Sequence, residues 1–267
     1  MLEAMDHADN AFITLTYKDV PEGNSLQPRD IQKFIKRLRK AYEPGRFRYF
    51  LVGEYGDQTH RPHYHAALFG YPCCRFGYSR FSRVTNRCCA SCDGILSNWG
   101  NGLVSVGTLS PESAAYIAGY VTKKMTGVND ERLEGRMPEF ARMSLRPGIG
   151  GNSIHDVASV CLQWGSDAPD VPSQLRHGGK LMPLGRYLIR RLRLATGRLA
   201  DAPQETLARL DEEVFDVRMV AKEVTRAPGM ARFEDLAMAG FLLEKYKGKV
   251  AQVEGRQKLY TRRKDKL

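Results

Sequence analysis

Arg61-Pro62-His63-Tyr64-His65-Ala66-Ala67-Leu68-Phe69 is the stretch from which the rest of the chain is best read. It has the composition of a β-strand, in which residues i and i+2 point to one face, so both imidazoles are able to reach one ion while Tyr64 points the other way, into packing. A His-x-His pair alone also occurs as ordinary structural side chains, so the flanks decide. Phe47 to Tyr55 reads as a preceding strand and Tyr64 to Tyr71 as the returning one, joined by a loop over 56–62. Antiparallel pairing of the two brings Glu54 across from His63 and His65. Two imidazoles and a carboxylate leave open positions for water and substrate, as a catalytic metal requires.

Working outward, Ala11 to Tyr17 alternates as a strand, with Phe12, Thr14 and Thr16 on one face and Ile13, Leu15 and Tyr17 on the other. A helix is expected from Pro28 to about Tyr42, with the apolar stripe Ile31, Phe34, Ile35, Leu38 and Tyr42. Its other side carries Lys33, Lys36, Arg37 and Lys40, either a solvated face or a phosphate-contacting one. Leu103 to Leu109 reads as a further strand after the turn Gly100-Asn101-Gly102. Ser110-Pro111-Glu112 then opens a helix, Ser as N-cap and Pro as first residue. Tyr116, Tyr120 and Lys123 share one side of it, the tyrosines about 6 Å apart along the axis. On pattern alone such tyrosines are core or interface aromatics, or groups that do chemistry.

The 267 residues hold 41 Lys+Arg against 30 Asp+Glu, a formal net charge of +11, which favours a polyanionic partner, nucleic acid first. Met1 to Asn10 lacks the apolar core of a signal peptide, and no segment approaches the roughly 18 unbroken apolar residues of a membrane span. A soluble intracellular protein without membrane association is expected. Six cysteines in that setting suggest thiols or a metal site before disulfides. Cys73, Cys74, Cys89 and Cys92 bracket an insert at 73–92 and form either a small four-thiolate zinc knuckle or a set of free thiols.

These elements suit an α+β fold, a ferredoxin-like or RRM-like antiparallel sheet with its helices on one face. The expected organisation is a first domain over 1–128, an irregular connection over 129–182 and a basic helical region over 183–267. In the last, helices are expected at Leu184 to Thr196, about Gln204 to Thr225 and about Ala231 to Tyr246, before a tail with Arg256, Lys258, Arg262, Arg263, Lys264 and Lys266.

A two-histidine and carboxylate set beside a polyanion-binding surface suits Mg²⁺ or Mn²⁺ polarising a scissile phosphate. A tyrosine hydroxyl facing that ion attacks phosphorus and releases a 3′-hydroxyl, with a lysine one turn away stabilising the developing charge. Phe12 to Tyr17, His63-Tyr64-His65 and Tyr120-Val121-Thr122-Lys123 resemble, in order, the three motifs of the HUH endonucleases. The strings GEYG, RPHYHAALFG, AAYIAGYVTKK and RPGIG resemble more closely the replication initiators of microviruses, the gokushovirus group in particular, over roughly residues 11 to 151.

That resemblance implies an HUH fold and a metal-dependent enzyme of the host bacterial cytoplasm that nicks origin DNA and starts and ends rolling-circle replication of a phage genome. It implies His63, His65 and Glu54 as metal ligands, Tyr120 as nucleophile, Lys123 as its partner and Tyr116 as the second tyrosine of a two-tyrosine pair. Gly119 stands where some relatives carry lysine, and the cysteine-rich insert lies outside the family's core pattern. No Gly-x-x-x-x-Gly-Lys-[Ser/Thr] string occurs, so unwinding falls to a host helicase and extension to a DNA polymerase. The rival readings are a single-tyrosine plasmid initiator or transposase on the same fold, a noncatalytic single-strand-binding module, and a zinc hydrolase of small substrates.

Overall fold

The computed structural model describes residues 1–43, 46–56, 59–81, 88–123, 130–164, 168–212 and 215. The expected helix at 231–246 and the basic tail lie outside these residues. The elements are α1 (Leu2–Met5), β1 (Asn10–Tyr17), α2 (Pro28–Ala41), β2 (Arg48–Tyr55), β3 (Pro62–Phe69), β4 (Tyr78–Phe81), α3 (Ala90–Trp99), β5 (Gly102–Thr108), α4 (Pro111–Lys123), β6 (Phe140–Met143), α5 (Ile154–Gln163), β7 (Gln174–His177), β8 (Lys180–Pro183) and α6 (Gly185–Ala195). The six-stranded sheet runs β4-β5-β1-β3-β2-β6 with every neighbouring pair antiparallel. The fold is α+β.

Strict alternation builds the centre of the sheet. Along β1, buried and half-buried residues alternate without a break, so Ala11, Ile13, Leu15 and Tyr17 face the main core while Phe12, Thr14 and Thr16 face the other way. In α2 the residues at helical spacing, Ile31, Phe34, Ile35 and Leu38, are the buried ones. They pack on Leu15, Leu51, Tyr64 and Leu68.

The central strands β5-β1-β3-β2, with α2 crossing between β1 and β2 and α3 between β3 and β5, make the interlocked ferredoxin-like arrangement. The second crossover helix is α3, which starts inside the cysteine-rich segment expected to be an insert. The tyrosine-bearing α4 takes no part in that layer. Ile117 of α4 is buried with Val52, Ala67 and Phe69 on the opposite face of the sheet. The expectation that the helices share one face therefore holds for α2 and α3 and fails for α4, because Ile117 meets the face that the alternation leaves apolar on β2 and β3.

The face of α2 away from the sheet is also settled in part. Lys33, Lys36, Arg37 and Lys40 are exposed, but Arg37 donates to the carbonyl oxygens of Asn98 (2.9 and 2.6 Å) and Trp99 (3.1 Å) at the end of α3. Arg37 thus satisfies carbonyls that the helix itself leaves open.

Residues 129–182, expected as an irregular connection, carry β6, α5 and the β7–β8 hairpin. β6 pairs with β2 and extends the sheet. The RPGIG string is a docking turn. Arg48 bonds both buried Glu3 and the Pro147 carbonyl, Gly150 N–H donates to Glu3 Oε2 (2.6 Å), and Gly148 N–H donates to Tyr187 Oη of α6 (2.8 Å). A Cβ on Gly148 would stand 2.7 Å from the Tyr187 ring, so the close approach requires glycine. A smaller core of Ile154, Ala158, Val171, Leu184 and Leu192 joins α5 to α6. Beside it Arg193 forks onto Asp170 (2.7 and 2.6 Å), and the guanidinium holds the Asp170 carboxyl below its usual range. A helix over 204–212 follows, with Leu207 and Leu210 of its expected apolar stripe exposed. Among the described residues no helix is long and apolar enough to cross a membrane.

Candidate active site

The site-bearing face is assembled by strand register. Thr16 pairs with His63 and Thr14 with His65 on one side of β3, while Glu54 pairs with His63 and Val52 with His65 on the other. Residues paired across strands share a face, so Thr14, Thr16, His63, His65 and Glu54 all lie on the side covered by α4. Tyr64 points to the opposite face, as expected. Its hydroxyl accepts from Gln27 N–H (2.7 Å) and meets Tyr17 Oη (3.0 Å). Burial pushes the Tyr64 phenol up to about 12.

His65 is held on every side. Its Nδ1 lies 2.9 Å from Thr14 Oγ1 and its Nε2 lies 2.9 Å from Glu54 Oε1. Phe12 stacks on the ring at 5.9 Å between centroids, nearly parallel, and Tyr116 of α4 meets it edge-on at 5.2 Å. With Thr14 accepting from Nδ1–H, the Nε2 lone pair is presented toward Glu54, the tautomer a metal ligand needs. Donors bound cis to an octahedral ion at about 2.1 Å stand ~3.0 Å apart. The separation of His65 Nε2 and Glu54 Oε1 fits that edge.

His63 shares the face without closing the set. Its ring centroid lies 6.0 Å from that of His65, and its Cε1 and Nε2 approach Gly56 so closely that a Cβ there would stand 2.8 and 3.0 Å from them. The string GEYG is accounted for residue by residue. Gly53 leaves room for Phe140 and Leu26 and Gly56 for His63; Glu54 faces His65; and Tyr55 donates its hydroxyl to the Met137 carbonyl (2.8 Å).

Sequence reasoning missed Glu139. It is buried and accepts from Tyr55 N–H at 2.8 Å. The β2–β6 register pairs Gly53 with Phe140 and Val52 with Ala141, so one further step sets Glu139 beside Glu54, a second buried carboxylate on the site face. A lone glutamate ahead of a four-residue strand gave no periodic signal to find it by.

Helix α4 begins at Pro111, with Ser110 and Ser113 capping each other: Ser110 N–H donates to Ser113 Oγ (2.8 Å) and Ser113 N–H to Ser110 Oγ (3.2 Å). Tyr116 is half exposed and stands at the His65 ring. Tyr120 and Lys123 fall on α4, and their side chains lie outside the described residues. A Cβ on Gly119 would meet nothing within 4 Å.

On the other side of the sheet a second donor set gathers. The thiols of Cys74, Cys88, Cys89 and Cys92 all lie within 4.8 Å of one another, the one such group of three or more metal-type donors among the described residues. Cys88 takes the place expected for Cys73. In extended chain the adjacent residues Cys73 and Cys74 point opposite ways, and Thr108 Oγ1 donates to Cys73 Sγ at 3.6 Å, away from the cluster.

Residues 10–125 match the family model of the replication-associated protein ORF2. Replication-associated protein ORF2 of Spiroplasma virus 4 is 35% identical over 159 residues, which cover 53% of this chain and 46% of that protein. Replication-associated protein VP4 of Bdellovibrio phage phiMH2K is 34% identical over 133 residues, covering 46% of this chain and 41% of that one. Replication-associated protein ORF4 of Chlamydia phage 1 is 31% identical over 136 residues, covering 46% and 33%. The matched stretch thus spans less than half the length of each of these relatives. No solved structure matches the chain. The match contains the whole sheet face just described together with α4, and through residues 10–125 the chain belongs to the replication-associated protein ORF2 family.

Proposed function

We propose that this chain is a phage replication initiator, an HUH endonuclease that nicks single-stranded origin DNA by tyrosine attack. The observation that carries the reading is the edge contact of Tyr116 on His65, 5.2 Å between ring centroids, where His65 Nε2 stands 2.9 Å from Glu54 Oε1. A tyrosine-bearing helix is packed directly over a paired imidazole and carboxylate, inside the stretch that matches replication-associated proteins.

Mg²⁺ or Mn²⁺, held by Glu54, His65 and His63, supplies Lewis-acid polarisation of the scissile phosphate. His63 needs only side-chain rotation to join, since its backbone is already opposite Glu54. Thr14 fixes the His65 tautomer, and Phe12 and Tyr116 fix its ring plane. The Tyr120 phenol oxygen bonds to phosphorus as the P–O3′ bond breaks. The phenol loses its proton and the departing 3′ oxygen gains one, leaving a 5′-phosphotyrosine and a free 3′-hydroxyl. Lys123 offsets the charge that builds on the phosphate. Attack of a 3′-hydroxyl on the phosphotyrosine reverses the step and rejoins a strand. Tyr116 is the second nucleophile, which allows the enzyme to cut again after a round of synthesis. In the host bacterial cytoplasm a helicase unwinds the duplex and a DNA polymerase extends the new 3′ end.

The deciding experiment is incubation with circular single-stranded viral DNA and Mg²⁺ or Mn²⁺, followed by peptide mass spectrometry. A phosphotyrosyl adduct at Tyr120 or Tyr116 is expected. Tight DNA binding with no cleavage in either ion would instead leave a noncatalytic single-strand-binding module. If Tyr120 alone is ever linked and Tyr116→Phe still terminates replication, the two-tyrosine scheme gives way to the single-tyrosine one.

A further inference from the structure

The thiol cluster has the shape of a closed metal centre. Cys74 lies just beyond β3, Cys88 and Cys89 precede α3, and Cys92 sits in its first turn. Cys74 and Cys92 are fully buried and the other two half buried. The Sγ atoms of Cys74 and Cys88 are 3.6 Å apart and those of Cys89 and Cys92 3.5 Å, with all four within 4.8 Å. A tetrahedral ion with bonds of about 2.3 Å to sulfur sets its thiolates ~3.8 Å apart.

The surroundings suit four thiolates. Cys89 is the N-cap of α3, where unpaired amides and the helix dipole favour negative charge. Burial acts to raise its thiol, but the amides of Arg75, Cys92 and Ser91 and the neighbouring Cys92 thiol outweigh it and bring it down to about 7. The segment between the second and third ligands is short, and the chain around them is braced. Tyr71 Oη donates to the Ser91 carbonyl (2.9 Å) and Gly77 N–H to the Cys74 carbonyl (2.9 Å). Gly94 lets the Tyr71 hydroxyl close in, since a Cβ there would stand 2.7 Å from it.

We propose that Cys74, Cys88, Cys89 and Cys92 hold one zinc ion in a closed four-thiolate site that clamps the first turn of α3 to the end of β3. Four protein ligands leave no position for water or substrate, so the ion is structural. Helix α3 buries few side chains of its own, Cys92, Ile95 and Trp99, yet it is the second crossover of the fold. The clamp also fixes both ends of the segment 75–87, which carries Arg75, Arg80, Arg83 and Arg87 and no acidic residue. Cys73 and Cys161 stay outside the site. The proposal is independent of the nicking reading, since it concerns the other face of the sheet.

The test is elemental analysis of the full chain purified under reducing conditions without added metal, with Zn²⁺ supplied to a second sample before desalting. One zinc per chain is expected, released by a thiol-specific mercurial and retained in Cys73→Ser. Cys88→Ser should weaken retention at least tenfold in competition with a zinc dye. Iron in place of zinc, intramolecular disulfides in the reduced preparation, or no zinc in either wild-type sample would overturn the proposal. So would loss of zinc from Cys73→Ser with retention in Cys88→Ser. If Cys88→Ser fails to fold, the wild-type and Cys73→Ser measurements still decide.

Discussion

The two donor sets of this chain lie on opposite faces of one sheet and differ in hardness and in closure. Under α4, imidazole and carboxylate meet at 2.9 Å while His63 stands aside against Gly56. On the α3 side, four thiols are drawn within 4.8 Å. Nitrogen and oxygen donors suit a hard ion that exchanges, and sulfur donors suit a soft ion that stays. A site that must admit a phosphate has to be left incomplete by the protein, whereas a structural site is best completed by it. The contrast teaches that a tight preformed cluster marks the clamp, and a looser one marks the chemistry.

The largest effect should come from the open site. His65→Ala is expected to lower nicking of origin single strands by on the order of 10³-fold, several kcal/mol of transition-state stabilisation, with far-UV circular dichroism unchanged. Retained nicking would break the comparison at its first term. The closed site should show the reverse pattern. Cys92→Ser is expected to lose the stabilisation that zinc supplies, about 3 kcal/mol at a free ion concentration one hundred times Kd, read as a fall in melting temperature that added Zn²⁺ does not restore. EDTA mild enough to leave the thiol centre intact should stop nicking without moving that melting temperature.

Thr14→Val sharpens the open side further. It removes the partner of His65 Nδ1, so roughly 10- to 100-fold more Mn²⁺ should be needed for half-maximal nicking, with the rate recovered at saturating ion. A lowered rate at saturation would mean that Thr14 acts on the chemistry instead. The smallest effect is expected on α4, where Gly119→Ala meets open space. It should stabilise the helix by about 1 kcal/mol in urea unfolding, and destabilisation would show that the exchange meets a contact at Gly119 that open space around a Cβ does not reveal.

How far the sequence carries the structure depends on periodicity. β1, α2 and the β2–β3 hairpin were legible because alternation and a 3.6-residue stripe extend over seven or more residues in each. From the hairpin alone the facing of Glu54 and His63 follows. Helix α3 was not legible, since Ala90–Trp99 has a thin apolar face of Ile95 and Trp99 and its cysteines read as a loop. Strand β6 is too short to alternate, and with it went Glu139. The choice between Cys73 and Cys74 turns on which way one side chain points, and spacing along the chain does not encode that. Cys88 and Cys89 are both drawn in because the chain turns into α3 between them and Cys92, which breaks the extended alternation.

The alternation along β3 has a last consequence. His63 and His65 face α4 while Tyr64 between them is fixed in the core by Gln27 and Tyr17. A one-residue slip of this strand would send Tyr64 out and both imidazoles in, forfeiting the core's hydrogen bonds and the ligands together. Misfolded copies therefore remove themselves. Any molecule with enough structure to occupy an origin also has its reactive face intact, so the strand acts as a proofreading device against inert competitors for the same DNA.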